Sequence, residues 1–166
     1  MKKQVEGYIR EYGVALTKLC LSLTNNRADA EDLYQSTWEK AIRNLKQYDS
    51  ARPFEKWLFG ICVNAYRDRV RRYDNRKILQ FSDNEDQERF FASIPSDDGN
   101  RDEYLALDIA VKKLKPSLRE AVVLYYFRDY SVAELSEILG IPQGTVKSRL
   151  SAARAELRKE LQDDDR

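Results

Sequence analysis

Apolar residues recur at three- and four-residue intervals through most of this 166-residue chain, and one acidic stretch in the middle interrupts the pattern. This period is typical of amphipathic helices that bury one face. The interruption, residues 78–101, is rich in Ser, Asp and Asn and reads as a flexible linker. The sequence therefore predicts an all-α fold of two small helical domains, residues 1–77 and 102–166.

The net charge of +1 hides an uneven distribution. Residues 1–80 carry 16 basic and 10 acidic side chains, residues 81–108 carry 2 and 9, and residues 109–166 carry 11 and 9. Two basic blocks thus flank an acidic one. The alternative to a linker is a polar surface loop within one domain, because Ile94 and the pair Phe90-Phe91 could pack against it.

Composition argues against several classes of enzyme. The chain has no His, which is the commonest general base and a frequent zinc ligand. Cys20 and Cys62 are 42 positions apart within apolar helical patterns, so we expect reduced core thiols. We predict no catalytic residue, no metal site and no cofactor. The N-terminus lacks an apolar signal segment and no window approaches a membrane span, so a cytoplasmic location is expected.

Three helices are predicted in the first half, over about residues 4–24, from Asn25-Asn26 to Leu45, and from Pro53 to about Tyr73. The third ends in a cluster of arginines with interleaved tyrosines. Arginine pairs with phosphate and aromatic rings stack on unpaired bases, so this end suits a nucleic-acid backbone. The alternative is a solvated basic end that complements the helix dipole, with Trp57 and Phe59 in the core.

The second half predicts a helix over residues 104–114 and another that opens at Pro116 with a capping box of Ser117 and Glu120. A second capping box, Ser131 with Glu134, starts a short helix that ends at Gly140. A long helix follows, over residues 143–161. A short helix, a glycine turn and a long basic helix are typical of a DNA-binding helix-turn-helix, whereas the alternative is an ordinary helical hairpin.

The two halves together resemble the extracytoplasmic-function (ECF) sigma factors, small two-domain members of the bacterial sigma-70 family. Residues 29–72, DAEDLYQSTWEKAIRNLKQYDSARPFEKWLFGICVNAYRDRVRR, are similar to regions 2.1 to 2.4 of that family. Residues 118–159, LREAVVLYYFRDYSVAELSEILGIPQGTVKSRLSAARAELRK, are similar to regions 4.1 and 4.2. The resemblance implies an initiation factor that is not itself an enzyme, binds core RNA polymerase and directs it to promoters.

The resemblance also implies roles for particular residues. The face that docks on the coiled coil of the largest catalytic polymerase subunit corresponds to Asp29, Asp32, Gln35 and Glu39. The residues implied to capture and read the −10 element are Arg52, Phe54, Trp57, Asn64, Arg67, Asp68, Arg71 and Arg72. The residues expected to read the −35 element are Gln143, Gly144, Thr145, Lys147, Ser148, Arg149, Ser151 and Arg154. For Arg149, which lies beside the apolar stripe, a contact to phosphate or a structural ion pair is equally open.

Further expected partners are the flap of the second polymerase subunit, promoter DNA and a membrane-associated anti-sigma factor, with the free chain a monomer. Two positions depart from the family pattern. Ser36 stands where Glu is frequent, and Ser151-Ala152 replaces an aromatic residue or His followed by Arg. The second departure removes an expected DNA contact.

Two alternative functions remain. An autonomous helix-turn-helix regulator requires affinity for duplex DNA without polymerase, and usually two-fold symmetry. A helical adaptor that binds only proteins predicts no salt-dependent DNA affinity.

Overall fold

The computed structural model describes residues 1–76 and 101–164, and every regular element within them is helical. The N-terminal half contains α1 (Lys2–Leu23), α2 (Arg27–Arg43), a 3₁₀ turn (Leu45–Gln47) and α3 (Phe54–Arg76). The C-terminal half contains α4 (Arg101–Lys113), α5 (Pro116–Val122) with a π-helical turn (Val123–Phe127), α6 (Val132–Leu139) and α7 (Gln143–Asp164). The all-α prediction is confirmed. Except for Arg101, the predicted linker lies outside the described residues.

Local hydrogen bonds explain where several helices begin and end. The side chain of Asn26 accepts from the backbone N–H of Asp29 at 2.8 Å, and that of Ser131 accepts from Glu134 N–H at 3.1 Å. Gly140 ends α6 with φ 66° and ψ 36°, the left-handed conformation that glycine adopts without steric cost.

The predicted capping box of Ser117 is wrong. Helix α5 has Lys115 at its N-cap and no side-chain cap hydrogen bond. The carboxylate of Glu120, which the box required, instead accepts hydrogen bonds from Arg67 of α3. A partner distant in sequence therefore replaces the local one.

The N-terminal half buries the apolar faces of α1, α2 and α3 against one another. Leu16, Leu33 and Leu58, one from each helix, have no exposed surface. Ile9 and Ile42 differ from the predicted stripes, because they are 38% and 41% exposed. Both line a surface groove between α1 and α2.

The C-terminal half packs α7 against α5 and α6. Val146, Leu150 and Ala153 of α7 are buried, as are Leu135 and Leu139 of α6. This is the predicted stripe of the long helix, and it fixes which face of α7 remains exposed.

The two halves also pack against each other and share one continuous core, which the sequence did not predict. Phe59 of α3 is fully buried, and its ring lies edge-on to Tyr130 at a centroid distance of 6.2 Å. Helices α1 and α3 contact α5, and α3 also contacts α6. Among the helices of residues 1–76 and 101–164, none is long and apolar enough to span a membrane.

Candidate nucleic-acid and polymerase interfaces

Helices α6 and α7 form the predicted helix-turn-helix, and a short network of hydrogen bonds fixes the turn. The backbone N–H groups of Gly140 and Ile141 both donate to the carbonyl of Ser136, at 3.0 and 3.2 Å. The Ser136 hydroxyl donates back to the Ile141 carbonyl at 2.5 Å. Because the turn is held from both sides, the start of α7 has a fixed direction relative to α6.

The first two turns of α7 present most of the predicted −35 residues on one open side. Side chains four residues apart share a helix face, so Gln143, Lys147 and Ser151 form one row along α7. The exposed residues are Gln143, Gly144, Lys147, Ser148 and Ser151, and Thr145 is half-buried. The Ser148 hydroxyl donates to the Thr145 carbonyl at 3.0 Å, and its oxygen stays accessible as an acceptor. Ammonium, amide and hydroxyl groups at a helix start are suited to base edges in the major groove.

Two arginines from the −35 prediction, Arg149 and Arg154, are half-buried. Arg154 donates from Nε to the Tyr126 hydroxyl at 2.6 Å, and its guanidinium lies 5.8 Å from the ring centroid of Tyr125. The charge of Arg149 acts on the carboxylate of Glu120.

The predicted −10 residues divide into an exposed set and an engaged set. Asn64, Arg71 and Arg72 are exposed along α3, and Arg52 is exposed in the loop before it. These exposed side chains supply amide and guanidinium donors, which can contact bases or phosphates.

Phe54 does not belong to that surface. It is 5% exposed, stacks on Tyr8 at a centroid distance of 3.9 Å, and meets Tyr48 edge-on at 5.2 Å. Trp57 is half-buried beside it, with ring centroids 5.5 Å apart. This aromatic cluster fixes the start of α3, so the role of Phe54 here is structural.

Arg67 and Asp68 are also engaged. Arg67 donates to both carboxylate oxygens of Glu120, at 3.1 Å from Nε and 3.1 Å from Nη2. Asp68 accepts from Lys40 of α2 at 3.3 Å and lies 3.6 Å from Arg71. Asp68 therefore positions α3 against α2 and offsets part of the positive charge.

The predicted polymerase face is a line of polar side chains on α2. Asp32, Gln35 and Glu39 are exposed, whereas Asp29 is half-buried. Asp29 accepts from Arg69 of α3 at 2.9 Å, so its carboxylate holds the basic end of α3.

A groove of about 620 Å³ runs beside this face, and Gln35 and Glu39 line it. Its floor is apolar and includes Ile9, Trp38 and Ile42. Sequence reasoning missed this groove, because it placed both isoleucines in buried stripes. The position of both isoleucines at the edge of those stripes could have indicated the groove, because side chains at the edge of an apolar stripe are only partly covered by the core.

A second groove, of about 510 Å³, lies in the C-terminal half between α4, the π-helical turn and α7. Tyr126 and Phe127 line it and are 49% and 37% exposed. Exposed aromatic side chains beside apolar ones mark surfaces that bind partners.

The two cysteines form a buried thiol contact. Cys20 and Cys62 are 1% and 0% exposed, and their sulfurs are 3.8 Å apart. The hydrogen bond between the two thiols, together with burial, raises the pKa of Cys20. Both free thiols lie in the core, as the sequence predicted.

Comparison with known proteins divides the chain in the same way. The family model of Sigma-70 region 2 matches residues 8–76, and that of Sigma-70, region 4 matches residues 104–157. The ECF RNA polymerase sigma factor SigW of Bacillus subtilis is 30% identical over 160 residues, which cover 92% of this chain and 86% of SigW. SigE of Mycolicibacterium smegmatis, another ECF sigma factor, is 34% identical over 90% of this chain, which spans only 58% of SigE.

The solved structure of the sigma factor RpoE of Bartonella quintana, in complex with the anti-sigma factor NepR, has the same fold. It superposes with a TM-score of 0.78 and 27% sequence identity, over 96% of this chain and 98% of RpoE. The superposition includes both helical halves. Together with the family matches, it shows that this chain belongs to the ECF sigma factors of the sigma-70 family, which are transcription initiation factors and not enzymes.

Proposed function

We propose that this chain binds core RNA polymerase and directs it to promoters that carry paired −10 and −35 elements. The observation that carries the proposal is the start of α7. Exposed amide, ammonium and hydroxyl groups of Gln143, Lys147, Ser148 and Ser151 lie there on one face of a capped helix-turn-helix. Family membership supports the proposal that this helix reads the −35 duplex.

In the proposed −35 complex, the start of α7 enters the major groove. Lys147 donates to guanine O6 or N7, Gln143 pairs with adenine, and the hydroxyls of Ser148 and Ser151 serve either. Gly144, which adds no side chain, lets the backbone approach a phosphate. The alanine at Ala152 contributes no polar group, so we expect a −35 preference of this chain's own.

In the proposed −10 complex, the exposed side of α3 binds the opened strand. Asn64 contacts a base edge or the backbone, while Arg52, Arg71 and Arg72 contact phosphates. The cost of unpairing a base is offset by hydrogen bonds to its edge and by stacking, for which Trp57 is available.

The polymerase contacts are proposed at the two grooves. Asp32, Gln35 and Glu39, with the apolar groove beside them, suit the coiled coil of the largest catalytic subunit through complementary charge and apolar contact. The groove beside Tyr126 and Phe127 suits the flap of the second catalytic subunit.

The structure of the Bartonella sigma factor with its anti-sigma factor supports an inhibitory anti-sigma partner for this chain. A membrane attachment of that partner, a cytoplasmic location and a monomeric free state are parts of the same proposal.

The test is selection of bacterial genomic DNA fragments by core polymerase alone, by this protein alone, and by both together. We expect a defined set of fragments only when both are present. Retention by the protein alone would instead support an autonomous regulator. Association with polymerase without any selected fragment would support an adaptor.

A further inference from the structure

Arg154, halfway along α7, is held by two tyrosines of the π-helical turn. Its Nε donates to the Tyr126 hydroxyl at 2.6 Å. The central carbon of its guanidinium group lies 5.8 Å from the ring centroid of Tyr125 and 5.7 Å from that of Tyr126. An aromatic face attracts a cation within about 6 Å of the ring centroid. One hydrogen bond and two rings therefore restrict where the guanidinium group can lie.

The two tyrosines are themselves fixed to the protein. Their rings meet edge-on, with centroids 5.0 Å apart and planes at 80°. Leu124, the residue before them, is fully buried, and Tyr125 is half-buried. The core thus determines where the π-helical turn presents the Tyr126 hydroxyl. Because α7 packs on the same core, the hydroxyl and Arg154 have a defined relative position.

The positive charge of Arg154 has no carboxylate partner. Among the described residues its contacts are with the tyrosines, and no acidic side chain pairs with it. Arg67, by contrast, binds the carboxylate of Glu120. Since the bond to Tyr126 uses Nε, both terminal nitrogens of Arg154 can donate to two oxygens of one phosphate. The group has the chemistry of an anion site whose anion is supplied by a partner.

The position of Arg154 on α7 suits a phosphate at the border of the major groove. Lys147, Ser151 and Arg154 are spaced by four and three residues, so they share one helix face. Arg154 lies seven residues beyond Lys147, which is about 10 Å along the helix axis. The major groove is about 12 Å wide. When the start of α7 contacts base edges, Arg154 therefore lies close to the sugar-phosphate backbone that borders the groove.

Holding an arginine in place before DNA binds increases its contribution to affinity. A free arginine side chain has many rotamers, and fixing one of them on binding costs conformational entropy. The hydrogen bond to Tyr126 removes part of that freedom in the free protein. Less entropy is then lost when a phosphate binds.

We propose that Tyr126 is a positioning residue for −35 DNA, and that its hydroxyl holds Arg154 ready to bind a backbone phosphate beside the major groove. The inference rests on the proposed function, because it takes the duplex that α7 reads as the ligand. Tyr126 does not itself touch the DNA and acts only through Arg154.

The Tyr126→Phe variant isolates the hydroxyl. It keeps the ring that lines the second groove, so the apolar surface of that groove is unchanged. Nuclear magnetic resonance of the full chain detects the Arg154 Nε–H group, whose signal is identified by its loss in Arg154→Ala. We expect Tyr126→Phe to shift this signal and to speed exchange of its proton with water, because the acceptor is gone.

Binding of the full chain to a labelled mixed-sequence DNA duplex at low salt tests the phosphate contact, since such a contact does not depend on sequence. Arg154→Ala should weaken binding about tenfold and should lower the slope of log affinity against log salt by about 1. Tyr126→Phe should weaken binding about threefold, because a smaller fraction of Arg154 is in the competent position. In the Arg154→Ala background, Tyr126→Phe should have no further effect. Lys159→Ala, which removes an exposed charge elsewhere on α7, is the matched control and should keep the wild-type slope.

Three results would overturn the inference. An unchanged Nε–H signal in Tyr126→Phe would show that the hydroxyl does not hold Arg154. The wild-type salt slope in Arg154→Ala, or no binding by the wild type at low salt, would exclude the phosphate contact. An equal loss from Tyr126→Phe with and without Arg154 would show that Tyr126 acts independently of it.

Failure of the proposed function gives a different pattern. If the expected effects of Tyr126→Phe and Arg154→Ala appear, but core polymerase with this protein selects no genomic fragments, the proposed promoter function fails and the role of Tyr126 in duplex binding stands. If fragments are selected and Arg154→Ala binds duplex like Lys159→Ala, the promoter function stands and the role of Tyr126 fails.

Discussion

Lys147 is the residue at which base recognition by α7 can be tested most simply. Its side chain is exposed on the second turn of the helix. If it contacts a base edge, Lys147→Ala weakens use of −35-dependent promoters by about 1–3 kcal/mol and changes the preferred base at one position. Transcription from a promoter set with each base at each −35 position measures both effects. Weaker transcription with an unchanged preference would make Lys147 a phosphate contact, and Lys159→Ala serves as the matched control.

Asp32 tests the polymerase face of α2. Its carboxylate is 66% exposed and its only short contact among the described residues is Arg69, at 3.9 Å. We expect Asp32→Arg to abolish co-elution with core polymerase, because it reverses the charge of the docking face, while the helical circular dichroism stays unchanged. Normal co-elution would contradict this assignment. The control is Glu6→Arg, an equal change of charge at an exposed position on α1.

Asp108 makes the stability of the protein depend on pH. Burial raises the pKa of this carboxyl above its ordinary value of 3.8, and Lys112, at 2.8 Å, opposes the shift only in part. The neutral carboxyl is therefore the form that favours folding. Its contribution is complete below the ordinary pKa and is lost as the pH rises through the raised value.

The Asp108→Asn variant stays neutral at every pH. Relative to the wild type, its free energy of unfolding should therefore be more favourable near pH 7 than near pH 4. Urea titrations at both pH values measure the difference. The same difference at both pH values would contradict the argument, and Glu160→Gln provides an exposed carboxyl for comparison.

The turn of the helix-turn-helix can be tested with two glycines of the same segment. A Cβ added at Gly140 or at Gly144 meets no atom within 4 Å, so the two positions differ in backbone conformation rather than in space. Gly140 has φ 66°, and we expect Gly140→Ala to lower stability by about 1–2 kcal/mol. Gly144 lies inside α7, so Gly144→Ala should raise stability by about 0.5–1 kcal/mol. Thermal unfolding of both variants gives the sign of each change in stability. Equal changes in stability for the two variants would contradict the assigned turn.

Most helix ends were predictable because they depend on neighbours in the sequence. Asn26, Ser131 and Gly140 act on backbone groups no more than four residues away, so their side-chain chemistry is sufficient to predict them. Ser117 failed for the opposite reason. The acidic partner that its capping box required, Glu120, binds an arginine 53 positions away.

The sequence indicated which helices carry the candidate sites. It did not indicate which side chains on those helices remain available to bind a partner. Spacing on a helix gives the face of a residue, and it predicted the exposed row on α7. It does not give the competing partners from other elements. Arg67 and Arg154 have such partners in Glu120 and Tyr126, and Phe54 has a shell of aromatic rings.

At the scale of the whole molecule, the packing of the two halves was the least predictable feature. Amphipathic stripes show that a helix has a buried face, and they do not show which helix covers it. A core position for Phe59 was the alternative to a role in nucleic-acid binding, and in the structure Tyr130 and Arg128 of the other half lie against its ring. The acidic stretch between the halves predicted a separation, and it gave no sign of the contact.

As a sigma factor, the whole chain is proposed to turn core RNA polymerase into a promoter-specific complex. Run-off transcription from fragmented bacterial genomic DNA, with sequencing of RNA 5′ ends, tests it with and without this protein. We expect new start sites that share a −10 and a −35 element, and loss of those sites with Asp32→Arg. An unchanged set of start sites, with folded protein and active core polymerase present, would contradict it.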